Sequence, residues 1–192
     1  YRFLNENTIP NPYILPKKDG SKRLIHIREN IQKQEYITFT LRDYGYSPNR
    51  NSSSIEIKLV NDFAMAINKK LILIPDNISE LKEYEIPNEV IIDKQARNDI
   101  YKRITLYHES KVNIFMQSGP AEMSHFIKGS RTIILNWGVP SFDGSIEFIE
   151  KEYGFKYNEQ PYLNLKSFLI WYKNNGDISN KDLMNAYLHV KG

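Results

Sequence analysis

The chain has 192 residues and no cysteine, which excludes disulfides and thiolate-held zinc sites and fits a reducing compartment. Its four histidines, His26, His108, His125 and His189, are scattered without ligand spacing, so no histidine metal site and no bound cofactor is expected. No apolar run reaches the roughly 18 residues a membrane span needs, and no basic-then-apolar leader opens the chain. Charge of one sign is also scarce. Twenty-six Lys and Arg against 23 Asp and Glu leave a net charge of +3, well short of a nucleic-acid footprint. Internal repeats and low-complexity tracts are lacking as well.

Apolar residues make up 41 % and charged residues 26 %, enough for one buried core and too few residues for two large domains. Residues 1–34 read as a Pro- and Asn-rich linker or strap followed by a short helix from Ser21 to Gln34, and residues 35–192 as a single lobe. Within the lobe, Tyr36–Leu41, Leu71–Ile74, Glu89–Ile92, Val112–Met116 and Thr132–Leu135 read as strands. Helical phasing runs over Ile55–Asn68, Ala96–Ser110 and Pro120–Lys128, and further helices are expected over Ser145–Tyr153, Leu165–Tyr172 and Asn180–Val190. Strands alternate with helices and most strands are apolar on both faces. The expected fold is therefore α/β: a doubly wound, mostly parallel, Rossmann-like sheet of five to six strands with helices on both faces. Ligands of such sheets lie beyond the carboxyl ends of the strands.

Two segments at those ends carry anion-binding chemistry. Gln117-Ser118-Gly119-Pro120 follows a strand and opens a helix, where amides, a hydroxyl and the positive helix end favour a phosphate. The bland reading is an ordinary helix start with Glu122 in its first turn. The loop from Arg42 to Ser54 holds Arg42, Arg50 and Asn51, and its arginine forks suit bidentate phosphate contacts. Its bland reading is a solvated loop ending in a helix cap. A third feature, Trp137 beside Gly138, can stack on a base or sugar, or pack as a rim aromatic. His125 reads as a partly buried, satisfied histidine. Arg97, Lys102 and Arg103 read as a mostly solvated helix face.

In order, "LRDYGYSPNRNSS", "LILIPD", "ARNDIYKRITLYHES", "VNIFM", "SGPAEMSHFI" and "RTIILNWG" resemble the carboxyl-terminal lobe of the heptosyltransferase-like glycosyltransferases of the two-lobed GT-B type. They are more similar still to glycosyltransferase-like proteins of bacterial surface-polysaccharide gene clusters. The resemblance covers residues 36–140. In that family the turn before the short helix reads D-[ST]-G-[PA] and binds the donor diphosphate. Ser118, Gly119 and Pro120 match it, Gln117 replaces the aspartate, and His125 lies beyond the position of the family histidine. Arg50, then Arg42, matches the family's basic residue near the diphosphate.

The resemblance implies a donor-binding lobe that acts on a nucleotide diphosphate-sugar, with a glycan or lipid-linked acceptor. It implies metal-independent chemistry, in keeping with the lack of a D-x-D pair, and a location in the cytoplasm or peripherally at the inner membrane. Substrate contacts are expected from Arg42, Arg50, Asn51, Ser118, Gly119, Pro120, Glu122 and Trp137. The chain begins at Tyr1 and reads as part of a longer protein whose amino-terminal lobe lies outside it. Inverting enzymes of this type usually take their general base from that lobe. Asp43 and Asp76, at strand ends, are the candidates within this chain. Two other readings stand beside this one: a nucleotide-sugar epimerase or hydrolase relying on His125, and a non-catalytic scaffold or partner-binding domain with the same fold.

Overall fold

The computed structural model describes residues 35–76, 79–140, 145–162, 165–172 and 177–191. The expected strap and short helix of residues 1–34 lie outside the described residues. Six strands, β1 (Tyr36–Thr40), β2 (Lys70–Ile74), β3 (Ile91–Ile92), β4 (Asn113–Met116), β5 (Thr132–Trp137) and β6 (Ser167–Trp171), form one sheet in the order β3-β2-β1-β4-β5-β6. Every neighbouring pair is parallel. The helices are α1 (Ser54–Ala66), α2 (Ile100–Glu109), α3 (Gly119–Ser124), α4 (Ile146–Phe148), which runs on as a π-helical turn over Ile149–Tyr153, and α5 (Asn180–Lys191). The fold is α/β and Rossmann-like, with the strand order that reverses direction between β1 and β4.

Alternation along the strands divides the core into two layers. Ile37, Phe39, Leu71, Leu73, Ile114, Met116, Ile133, Leu135 and Ile170 pack against Ile57, Val60 and Phe63 of α1 and Leu183 and Tyr187 of α5. On the opposite face, Tyr36, Ile72, Ile74, Phe115, Ile134 and Leu169 meet Ile104 and Tyr107 of α2, Ala121 of α3 and Ile149. With both faces covered, the central strands can be apolar at every position.

Three local expectations need correction. The segment Leu165–Tyr172, expected to be helical, contains strand β6. Its run Phe168-Leu169-Ile170-Trp171 is apolar at every position because Ile170 faces one layer while Leu169 and Trp171 face the other, and such a short run has no period that separates strand from helix. The single helix expected over Ala96–Ser110 is a 3-10 turn, Gln95–Arg97, followed by α2, which starts where the Asp99 side chain accepts from the Tyr101 and Lys102 amides. Lys102, expected on a solvated face, is fully buried. Its Nζ lies 2.8 Å from Asp93 Oδ2 and donates to Gln95 Oε1 at 3.1 Å.

The β6 edge of the sheet carries a side-chain substitute for a seventh strand. Gln160 Nε2 donates to the Leu169 carbonyl and its Oε1 accepts from the Leu169 amide, both at 2.8 Å.

Candidate active site at the sheet switch point

The loop after β1 is built around Arg42. The residue is 7 % exposed, and its guanidinium donates to the Ser47 and Tyr46 carbonyls, each at 3.0 Å, and to Asn51 Oδ1. Asn51 also pairs with both backbone groups of Tyr44, at 3.0 and 3.1 Å. The loop is closed by the mutual bonds of Arg42 and Ser52, at 2.8 and 2.9 Å. Arg42 and Asn51 therefore hold the loop in shape and are occupied in doing so. What the loop presents is Arg50, at the end of a 3-10 turn over Pro48–Arg50. Ser53 and Glu56 then start α1 with a reciprocal capping box.

Arg50 reaches across the switch point: its Nη2 donates to the Gln117 carbonyl at the end of β4, at 3.1 Å. The two segments singled out in the sequence thus meet. Beside the contact lies a cavity of about 270 Å³ lined by Arg50, Gln117, Ser118, Gly119, Glu122, Trp137, Tyr153 and Tyr162. Of the eight expected contact residues, Arg50, Ser118, Gly119, Glu122 and Trp137 line it; Arg42, Asn51 and Pro120 do not. Ser118 stands at the N-cap of α3 without capping it through its side chain. A Cβ added at Gly119 would meet no heavy atom within 4 Å, so the space in front of that backbone is open.

Trp137 reaches this cavity through an irregularity in β5. Ile133 and Leu135 face the α1 layer, and regular alternation would send residue 137 the same way. Asn136 instead adopts a left-handed backbone, φ 52°, the register against β6 shifts between Ile134 and Trp137, and Trp137 joins the opposite layer. Bulges of this kind re-aim side chains beside functional sites. Asn136 Nδ2 donates to Glu56 Oε1 at 3.2 Å, which ties the irregularity to the start of α1. Trp137 is 2 % and Gln117 7 % exposed, and Trp137 Nε1 and Gln117 Oε1 are buried without a hydrogen-bond partner among the described residues.

Glu122 lines the cavity, and His125 packs beside it without lining it. Burial pushes the Glu122 carboxyl above the ordinary carboxylate range. His125 Nδ1 lies 3.7 Å from Glu122 Oε2, and its Nε2 pairs with Ser167 Oγ at 2.9 Å. Its ring lies against Tyr162, centroids 4.7 Å apart. Burial lowers the His125 pKa to about 4, so the imidazole is neutral at pH 7 and lends no cation to an anion site. Asp43 and Asp76 sit together at the ends of β1 and β2, the Asp43 amide 3.3 Å from Asp76 Oδ2, and neither lines the cavity. No cluster of three or more potential metal-ligating carboxylate or imidazole side chains occurs among the described residues, and no helix among them is long and apolar enough to cross a membrane. Sequence reasoning missed Tyr153 and Tyr162 as wall residues: Tyr153 ends the segment Ser145–Tyr153 that was expected to be helical, and Tyr162 lies in irregular chain beyond it.

The fold is that of known glycosyltransferases. The chain superposes on a glycosyl transferase family 9 protein from Veillonella parvula with a TM-score of 0.64 at 12 % identity, covering 93 % of this chain and 53 % of that one. It superposes on the ADP-heptose lps heptosyltransferase II of E. coli with a TM-score of 0.62 at 10 % identity, covering 94 % of this chain and 53 % of that one. The chain therefore spans about half the length of these structures. No family model matches it, and no curated protein matches it by sequence. At such identities the likeness establishes a glycosyltransferase-like fold, and function has to be argued from the site.

Proposed function

We propose that the chain is the donor-binding lobe of a glycosyltransferase that transfers a sugar from a nucleotide diphosphate-sugar to a glycan or lipid-linked acceptor in surface-polysaccharide or glycan biosynthesis. The observation that carries this reading is the approach of Arg50 to the Gln117–Gly119 segment across the switch point, on a fold shared with glycosyltransferases. The leaving diphosphate lies at the Arg50 end of the cavity, where the guanidinium and the Ser118 hydroxyl neutralise developing negative charge. A fixed cation in this position does the work that a divalent ion does in metal-dependent transferases. On this reading the protein acts in the cytoplasm or peripherally at the inner membrane.

Calorimetry with ADP, GDP, UDP and CDP tests the proposal. At least one should bind, and Arg50→Ala should weaken it by about 10- to 100-fold, the worth of a charge-assisted hydrogen bond to phosphate. Gly119→Ala should weaken it too while leaving the fold intact, because only a ligand would occupy the open space there. Absence of heat with all four diphosphates, or an Arg50→Ala variant that binds as the parent does, would sink the reading. A non-catalytic partner-binding domain is the alternative. It is favoured by the presence, among the described residues lining the cavity, of one arginine and the opposing carboxyl of Glu122, and it predicts no heat with any diphosphate.

A further inference from the structure

The loop that carries Arg50 leaves β1, yet two of its anchors lie on the segment that leaves β5. These strands are not neighbours: β4 lies between them. One anchor precedes Arg50 in sequence, where Asn49 Nδ2 donates to the Pro140 carbonyl at 3.3 Å. The other follows it, where Asn136 Nδ2 donates to Glu56 Oε1 at 3.2 Å. Arg50 is bracketed by these two tethers and comes to rest at the end of β4, where its Nη2 meets the Gln117 carbonyl. Asn49, Glu56 and Asn136 all border a cavity of about 350 Å³. Open space therefore separates the loop from the end of β5 there, and the polar tethers set the gap.

Glu56 spends both carboxylate oxygens as acceptors. Oε2 takes the Ser53 amide, at 2.8 Å, and the Ser53 hydroxyl, and so caps α1. A helix cap needs no more than this oxygen. Oε1 takes the Asn136 amide group, and the backbone of β5 is bent to bring it there. In regular alternation Asn136 would face the α2 layer with Ile134. Its left-handed backbone, φ 52°, and the register shift beside it exchange the two residues, so that Asn136 meets α1 and Trp137 joins the opposite layer.

We propose that Glu56, with Asn136 and Asn49, is a positioning residue for Arg50: its carboxylate clamps the loop after β1 to the end of β5 and so aims the guanidinium at an anion. None of the three lines the Arg50 cavity, so they act through Arg50 and touch no ligand themselves. A long side chain on an unclamped loop has to be ordered when the anion arrives, and that ordering costs affinity. Holding it beforehand removes the cost. The proposal rests on the donor-binding reading for the identity of the anion and specifies what aims its cation.

The donor–acceptor pattern of the clamp supplies its own rescue. Glu56→Gln leaves one oxygen for donors on two sides, so either the Ser53 cap or the Asn136 tether is lost. Asn136→Asp sets a second carboxylate against Glu56. In the double variant the glutamine amide donates to the new aspartate while its oxygen accepts from the Ser53 amide, and aspartate, like asparagine, tolerates the left-handed backbone. Calorimetry with pyrophosphate, ADP, GDP, UDP and CDP should show each single variant, and Asn49→Ala, binding about three- to tenfold more weakly than the parent, the worth of one hydrogen bond, and the double variant binding within about twofold of it. Ser53→Ala weakens the cap and leaves the β5 tether, so it should melt lower and bind within about twofold of the parent. A ligand-free reading runs beside this one. The proton–nitrogen NMR resonances of the Arg50 guanidinium and the Trp137 indole should shift in Glu56→Gln and Asn136→Asp and return in the double variant.

Single variants that bind every diphosphate as the parent does, or a double variant as weak as the singles, would overturn the clamp and leave the donor reading standing. So would Ser53→Ala weakening binding as much as Glu56→Gln, because the helix cap alone would then account for the loss. If the parent binds none of the probes at millimolar concentration, the donor reading falls and the NMR reading decides the clamp alone: resonances unmoved in the singles, or unrestored in the double variant, overturn it as well.

Discussion

Acidification from pH 8 to pH 5 should cost the protein about 2 kcal/mol through His125 alone. Its ring is buried against Tyr162 and paired with Ser167, and desolvation lowers its pKa from 6.5 to about 4. Above pH 6.5 the imidazole is neutral in both folded and unfolded chains, so it contributes no pH dependence. As the pH falls below 6.5 the unfolded chain takes up a proton that the folded chain refuses until about pH 4. Stability is therefore lost on the way down. Linkage puts the loss at about 2 kcal/mol by pH 5 and roughly 3 kcal/mol at its limit below pH 4. The assay is urea denaturation at pH 8, 6.5, 5.5 and 5 on the parent and on His125→Phe, which keeps the ring and removes the titration. The variant loses the bond to Ser167 at every pH, so the informative quantity is the difference in slope. The parent should fall faster than the variant by about 2 kcal/mol over this range. Parallel pH profiles, or an NMR titration placing His125 near 6.5, would refute the reasoning.

Glu122 carries the opposite sign: burial raises its pKa, so its ionised form destabilises the fold at neutral pH and the penalty disappears as pH falls through the raised value. Glu122→Gln should accordingly melt higher than the parent at pH 7, with the gap closing on acidification. Lys102→Met strands Asp93 as a buried charge and should cost about 3–5 kcal/mol in denaturant titration. Adding Asp93→Asn should recover most of that, since Asn keeps an oxygen for the Gln95 and Ala96 amides now bonded to Asp93 Oδ1. At Asn136, glycine retains the left-handed backbone and should cost under about 1 kcal/mol. Valine there should cost roughly 1–2 kcal/mol more and shift the tryptophan fluorescence as Trp137 turns.

The α/β order was legible because β1, β2, β4 and β5 are short apolar runs separated by amphipathic helices. Arg50 and the Ser118–Gly119 turn were legible as partners because both follow strands and a parallel sheet brings all such loops to one edge. Arg42 and Arg50 look alike in sequence. Only the geometry separates the one that folds its own loop from the one that crosses to β4. Lys102 misled because its helical neighbours are polar, and a buried lysine is identified by its partner Asp93, nine residues away. The facing of Trp137 depends on one residue with positive φ, which breaks the alternation by which strand faces are assigned. Tyr153 ends a segment that was legible as helical, but nothing local marks it as the residue that faces the cavity; Tyr162 comes to the cavity through irregular chain, which leaves no periodicity to read.

The amide of Gln160, bound to both backbone groups of Leu169, also bears on how the protein can associate. It occupies the donor and acceptor that an incoming strand would use first, so sheet extension along β6 would have to displace a well-formed pair of hydrogen bonds. Docking of another lobe or subunit at this flank is steered toward side-chain contacts instead of strand addition. Replacing Gln160 would free the Leu169 amide and carbonyl, while the Ser167 amide would stay bound to the Tyr162 carbonyl at 3.2 Å.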